Sequence, residues 1–206
     1  MNIVFDFGAV LFDWRPAERV RQRLGDWAAG PQQAQDLARA IFAHPDWQAF
    51  DRGLLGLEQV VERTASRLGL PLSRVQELLA PIGDELEPIA GNVAVLRALA
   101  ERRDREGGLR LFFLSNMPEP FARTLEQRHA FIQVFDGGVF SGDVKLGKPD
   151  PAIYLHLAAA HGLVPHKTWF IDDHLPNVDA ARELGWQGLH LSEPQMLAQL
   201  LGSALP

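Results

Sequence analysis

Met1-Asn2-Ile3-Val4-Phe5-Asp6-Phe7-Gly8-Ala9-Val10-Leu11-Phe12-Asp13-Trp14 begins the chain with a short apolar run that stops at a carboxylate. Asn2 to Phe5 has no helical period and is rich in β-branched and aromatic side chains, which reads as a buried strand. Strands of parallel sheets are apolar along most of their length, and ligands of open α/β sheets bind beyond the carboxyl ends of the strands. Asp6 therefore either merely ends a strand or stands at an edge suited to chemistry. Gly8 permits a tight turn or a close approach to a ligand.

Working outward, the stretch from Pro16 to about Ala90 changes to helical periodicity. Ala34, Leu37, Ala38, Ile41 and Phe42 place one apolar stripe on a helix begun near Pro31. Leu57, Val60, Val61, Thr64, Ala65 and Leu68 do the same on the next. Ser73 followed by Gln76 has the spacing of a capping box and predicts the start of a third helix. Pro16 to Leu24 carries a weaker fourth pattern. Gly30-Pro31 and Gly69-Leu70-Pro71 separate the helices, so this is a small helical module rather than a repeat array. Trp14, Trp47 and Phe50 either line an entrance from this module or belong to its core.

After Pro88 helix and strand alternate, the signature of βαβ units and a parallel sheet. Asn92 is read as the cap of a helix carrying Val95, Leu96 and Leu99. Leu109 to Leu114 is an apolar run ending at Ser115-Asn116, and Trp169-Phe170-Ile171 is another, ending at Asp172-Asp173. Between them Pro118 to Arg128 reads as a helix and Phe140 to Pro149 as a loop. Asp150-Pro151 has the form of an N-cap with proline in the first turn. A helix over 177–184, stopped by Gly185, a last strand over 188–191, and a closing helix capped within 192–195 complete the chain.

Composition limits what these polar strand ends can serve. The chain has 206 residues, 47% of them hydrophobic and 22% charged, with no apolar run of transmembrane length. Asp6 and Asp13 interrupt the pattern expected of a secretory signal, so a cytoplasmic location is expected and no membrane partner. The absence of cysteine excludes disulfides, thiolate metal sites and a cysteine nucleophile. A formal net charge of −6 disfavours nucleic-acid binding and leaves any anionic substrate to a few local cations. Asp6, Ser115-Asn116 and Asp172-Asp173, with Lys148 on a loop between the last two, would be costly to bury without partners, so one shared polar edge is expected. Converging carboxylates call for a cation among them, and oxygen donors favour a hard one such as magnesium, which in turn suggests a phosphate.

Four motifs together resemble those of the haloacid dehalogenase superfamily, which includes many phosphatases. Phe5-Asp6-Phe7-Gly8-Ala9-Val10-Leu11 resembles its first motif, Phe113-Leu114-Ser115-Asn116 the second, Lys148-Pro149 the third and Phe170 to Asn177 the fourth. The resemblance covers essentially the whole chain. It implies a Rossmann-like three-layer α/β/α core with a parallel sheet, built from residues 1–13 and 90–206, and an inserted helical-bundle cap over residues 14–89. In detail it is similar to a bacterial subgroup that includes sugar-phosphate phosphatases, some acting on glucose 1-phosphate.

The resemblance also implies roles. Asp6 would be the nucleophile that forms an aspartyl-phosphate, and Mg2+ would be held by Asp6, the Gly8 carbonyl, Asp173 and either directly or indirectly by Asp172. Ser115, with Asn116 beside it, and Lys148 would bind and neutralise the phosphoryl group of a small phosphate ester. Lys145 is the rival of Lys148. Most phosphatases of the superfamily carry a second Asp where this chain has Gly8, a loss of a general acid and base that typically contributes ~10²–10⁴-fold. A good leaving group, another donor such as His174 or water, or near-inactivity would each reconcile the difference. A 2-haloacid dehalogenase, which needs no metal, and a weakly active module binding a phosphometabolite or a protein are the alternative readings.

Overall fold

The computed structural model describes residues 1–204. Five parallel strands, β1 (Asn2–Phe5), β2 (Arg110–Ser115), β3 (Gly137–Phe140), β4 (Thr168–Asp172) and β5 (Gln187–His190), form one sheet in the order β3-β2-β1-β4-β5. Side chains alternate across it as a strand's period of two requires. Ile3, Phe5, Leu111, Phe113 and Ile171 face one layer of core, whereas Val4, Phe112, Leu114 and Phe170 face the other. The first layer is covered by α7 (Ala90–Glu106), α8 (Glu119–Arg128) and α12 (Leu197–Ala204) through Leu96, Leu125 and Leu197. The second is covered by α10 (Pro151–His161) and α11 (Leu175–Glu183), through Ile153, Tyr154, Leu157 and Ala181. This is the three-layer, Rossmann-like arrangement that the motifs imply.

Between β1 and α7 the chain makes a helical excursion, α1 (Pro16–Arg23), α2 (Pro31–Phe42), α3 (Pro45–Asp51), α4 (Leu57–Leu68), α5 (Leu72–Leu79) and α6 (Ile82–Glu85). Its two ends lie side by side. Asp13 N donates to Glu87 O at 2.8 Å and Ile89 N to Leu11 O at 2.8 Å, so the outgoing and returning segments form a paired neck. Glycine–glutamine pairs start the two longest helices of the excursion: Gly30 N donates to Gln33 Oε1 at 3.1 Å and Gly56 N to Gln59 Oε1 at 2.9 Å. Each satisfies an N–H at a helix start, where the first amides lack intrahelical partners.

Several local expectations shift. Ser73 is no cap, because α5 begins at Leu72 after Pro71 and no side chain caps it. Asn92 lies inside the first turn of α7, and its Nδ2 donates to the buried carbonyl of Val10 at 2.6 Å. Helix α11 starts at Leu175, ahead of Asn177, and a 3-10 turn over Pro194–Met196 precedes α12. Asp150 does cap α10, accepting from Ala152 N at 2.9 Å. Strand β3 and the short helices α3, α6 and α9 (Ser141–Val144) lie outside the elements expected from the sequence.

Two residues of β3 explain the first omission: Gly137 and Gly138 have low strand propensity, yet they are what the site tolerates. A Cβ on Gly138 would lie 2.3 Å from the Phe113 ring, and one on Gly137 equally close to His161. The edge of the sheet is shaped by its neighbours' rings.

Candidate active site

The register of the sheet builds the site. Phe5 pairs with Phe113 on β2 and with Ile171 on β4, so the residues that follow, Asp6 and Asp172, leave adjacent strands at the same level. Chain direction across the sheet reverses here, β2 and β3 lying to one side of β1 and β4 and β5 to the other. Such a switch point opens a crevice at the carboxyl ends of the strands. Asp6 N is fixed by Ile171 O at 2.9 Å, and the Asp6 carboxylate accepts from Phe7 N at 2.7 Å.

Lys148 lies between the carboxylates. Its Nζ is 2.8 Å from Asp6 Oδ1 and 2.6 Å from Asp172 Oδ2, and its side chain is 1% exposed. Asn116 fastens the Lys148 backbone from both directions, accepting from its N at 2.8 Å and donating to its O at 2.9 Å. Lys145 is an exposed residue at the end of α9 and takes no part. Asp172, fully buried, also accepts from His174 N at 2.8 Å and from Asn177 Nδ2 at 3.1 Å on each oxygen. Asp173 is less buried, and one carboxylate oxygen from each of Asp6, Asp172 and Asp173 falls within 4.8 Å of the others.

The charges are strongly coupled to burial. Burial pushes the Asp6 carboxyl up to about 7, against the pull of Lys148 and with Asp172 and Asp173 adding to the rise. Asp173 is raised by burial and then by Asp172. Burial works against the Lys148 ammonium, but Asp172 and Asp6 outweigh it and hold its pKa above the ordinary lysine range. Three carboxylates against one lysine leave excess negative charge, and an all-oxygen donor set of this kind suits a hard divalent cation.

Above the carboxylates is a cavity of about 500 Å³. Asp6, Gly8, Ser115, Asn116, Lys148 and Asp173 line it from the sheet. Trp14, Phe42, Trp47, Ile82 and Leu86 line it from the helical excursion and its neck, with Phe121 of α8 beside them. Phe50 belongs to the core, whereas Trp14 and Trp47 form cavity wall. Ser115 is buried at the end of β2 and does not cap α8, whose N-cap is Pro118. His174 borders the cavity but is exposed. A Cβ on Gly8 would sit in ordinary contact with Trp14, 3.7 Å from its Cβ and Cδ1.

A sequence model of the haloacid dehalogenase-like hydrolases matches residues 3–185. The chain belongs to this family of hydrolases. Among its relatives, the sesquiterpene phosphatase astK of Aspergillus oryzae is 29% identical over 203 residues, covering 97% of this chain and 95% of that protein. A phosphorylated carbohydrates phosphatase of Thermotoga maritima is 28% identical over 188 residues, covering 91% and 83%. The fold is shared with a haloacid dehalogenase family enzyme of Bacteroides thetaiotaomicron, solved with magnesium and inorganic phosphate, at 18% identity, TM-score 0.68 and 92% coverage of both chains. It is shared equally with an L-2-haloacid dehalogenase of Xanthobacter autotrophicus, at 20% identity, TM-score 0.66 and coverage of 99% and 83%.

Sequence reasoning missed Asp51 and Arg52, which reach this haloacid dehalogenase-like site from the end of α3. Asn116, expected beside the substrate, turns its side chain to the Lys148 backbone, and Asn177, the last residue of the fourth motif, donates to Asp172. Signals for α3 do exist: His44 Nδ1 accepts from Asp46 N at 3.1 Å ahead of a Pro45 start, and Gly53 follows its end.

Proposed function

We propose that this hydrolase is a magnesium-dependent phosphatase that cleaves a small phosphate ester through an aspartyl-phosphate on Asp6. The carrying observation is the buried Asp6-Lys148-Asp172 arrangement with Asp173 at its rim, of which Asp6, Lys148 and Asp173 open on one cavity. A 2-haloacid dehalogenase reaction on carbon gives no use to three clustered carboxylates, so the phosphatase reading is preferred.

Asp6, the Gly8 carbonyl and Asp173 would hold the cation, which when bound offsets negative charge on the phosphoryl group and on Asp6. Asp172 spends both oxygens on Lys148, His174 N and Asn177, and so serves to orient Lys148. Lys148 aligns the Asp6 carboxylate and neutralises the transferring phosphoryl oxygens. Ser115 donates its hydroxyl to a phosphoryl oxygen, and Asn116 contributes by fixing the Lys148 loop. Asp6 attacks phosphorus in line, the alcohol departs, and water then hydrolyses the acyl phosphate. The helices over 16–85 act as a cap that limits water and meets the leaving group.

The cap-side walls suit an alcohol with an apolar or aromatic face: Trp14, Phe42, Trp47 and Phe121 offer van der Waals surface, with Gln48, Asp51 and Arg52 as the polar groups beside them. One relative is named for sesquiterpenyl substrates and another for carbohydrate phosphates. Phosphate release from prenyl, aryl and sugar monophosphates, with and without magnesium, tests the reading. Turnover lost in Asp6→Asn and on chelation supports it. Chloride release from 2-chloropropionate without metal, in place of any phosphate release, would replace it with the dehalogenase.

A further inference from the structure

Gly8 leaves the phosphatase reading, on which this inference rests, with no side chain at that position to protonate the departing oxygen. The same cavity has a carboxyl on another wall. Asp51 ends α3 and lines the cavity together with Asp6, Lys148 and Trp47.

Its placement is built rather than incidental. Ser141 Oγ accepts from Met117 N at 2.8 Å, just past Ser115-Asn116, and donates to the Asp51 carbonyl. Gly53, two residues on, takes φ +64° and packs so closely on α9 that a Cβ would lie 2.7 Å from Gly142 O. The end of α3 is thus pinned to the core at the segment that follows β2 and at α9. A surface aspartate needs no such support.

The chemistry of the carboxyl matches the gap. Burial pushes its pKa well above the usual carboxylate range and the negative Asp6 adds to this. Lys148, the Trp47 indole and Arg52 oppose the rise only in part. The carboxyl therefore keeps its proton where an exposed aspartate has lost it. His174, the other candidate donor, is exposed.

We propose that Asp51 is the general acid and base of both half-reactions, delivered from the helical excursion in place of a side chain at position 8. As Asp6 forms its bond to phosphorus and the ester P–O bond breaks, the Asp51 carboxyl gives its proton to the leaving oxygen, which departs as the alcohol. The Asp51 carboxylate then takes a proton from the water that attacks the aspartyl-phosphate. The bond from phosphorus to Asp6 breaks, inorganic phosphate leaves, and Asp51 is again protonated. Ester plus water has become alcohol plus phosphate, with no further reactant.

Leaving-group dependence tests the assignment. An alkyl ester such as 2-phenylethyl phosphate needs the acid, whereas 4-nitrophenyl phosphate departs as a stable phenolate. Asp51→Asn should lower kcat/KM on the alkyl ester by ~10²–10⁴-fold and on the aryl ester at least tenfold less. With the aryl ester it should release a burst of one nitrophenolate per enzyme before slow turnover, because the base of the second step is also gone. Asp51→Glu should recover part of the alkyl activity, which a variant damaged only in folding cannot do. Equal losses on both esters, or an Asp51→Asn variant as active as the parent, overturn the inference alone. A parent that releases phosphate from neither ester overturns the phosphatase reading and the inference with it.

Discussion

Lys148 neutralises two buried carboxylates, Asp6 at 2.8 Å and Asp172 at 2.6 Å, and each depends on it for company away from water. Removing one member of a buried charged network costs about 3–5 kcal/mol, because the remaining charges stay buried. Lys148→Met should therefore lower unfolding free energy in urea by roughly that amount. A loss below ~1 kcal/mol would show that the carboxylates are effectively solvated. Protonation gives a second prediction at this scale. In the metal-free protein the Asp6 carboxyl lies near 7, above its ordinary 3.8, so a cation binding below pH 7 must displace its proton. Magnesium affinity by calorimetry should fall about tenfold per pH unit below 7, and a flat profile would contradict the burial of Asp6. The sign for stability follows from the same shift. The folded form holds a proton that the unfolded form has released between the two values, so metal-free stability declines on this account as pH rises from 3.8 towards about 7.

At the level of elements, short pieces hold the site together through contacts distant in sequence. Helix α7 reaches back through Asn92 to the Val10 carbonyl at 2.6 Å, and the Asn92 side chain is buried. Asn92→Ala leaves that carbonyl without its donor and should cost about 1–3 kcal/mol, measured by thermal or urea unfolding. Helix α3 is positioned by Gly53, whose φ of +64° suits glycine and whose Cα faces Gly142 O. Gly53→Ala should destabilise by about 1–2 kcal/mol and loosen the end of α3. Phosphatase activity should then fall by more than the unfolded fraction accounts for; a variant that is folded and fully active would show that the anchoring of α3 is irrelevant to turnover.

On the scale of the whole molecule, the carboxyl ends of β1 and β4 bring negative charge together at the centre of the sheet, so a divalent cation should stabilise the entire fold. Magnesium at a hundredfold excess over its dissociation constant should add about 2.7 kcal/mol and raise the melting temperature, an increase that Asp6→Asn and Asp173→Asn should each reduce. Among the described residues no helix is long and apolar enough to cross a membrane. The alternation of helix and strand, the helical excursion after Asp13 and the polar strand ends were all legible along the chain, because they arise from neighbours within a few residues: a period of two, a period of 3.6, and a carboxylate closing an apolar run. Asp6, Ser115, Lys148, Asp172 and Asp173 could be gathered into one site because parallel strands put all their carboxyl ends on one side. Strand β3 escaped notice since Gly137 and Gly138 answer to the rings of His161 and Phe113 rather than to any local preference. Asn92 and Asn116 looked like a cap and a substrate ligand, yet each spends its amide on a distant backbone. Asp51 sits in a seven-residue helix with no pattern marking it as chemistry, and only the packing of Gly53 on Gly142 and the Ser141 hydroxyl carry it to the cavity. Hydrophobic period and turn chemistry act over one or two turns of chain, whereas which carboxyl is buried, paired or poised depends on residues brought close by folding.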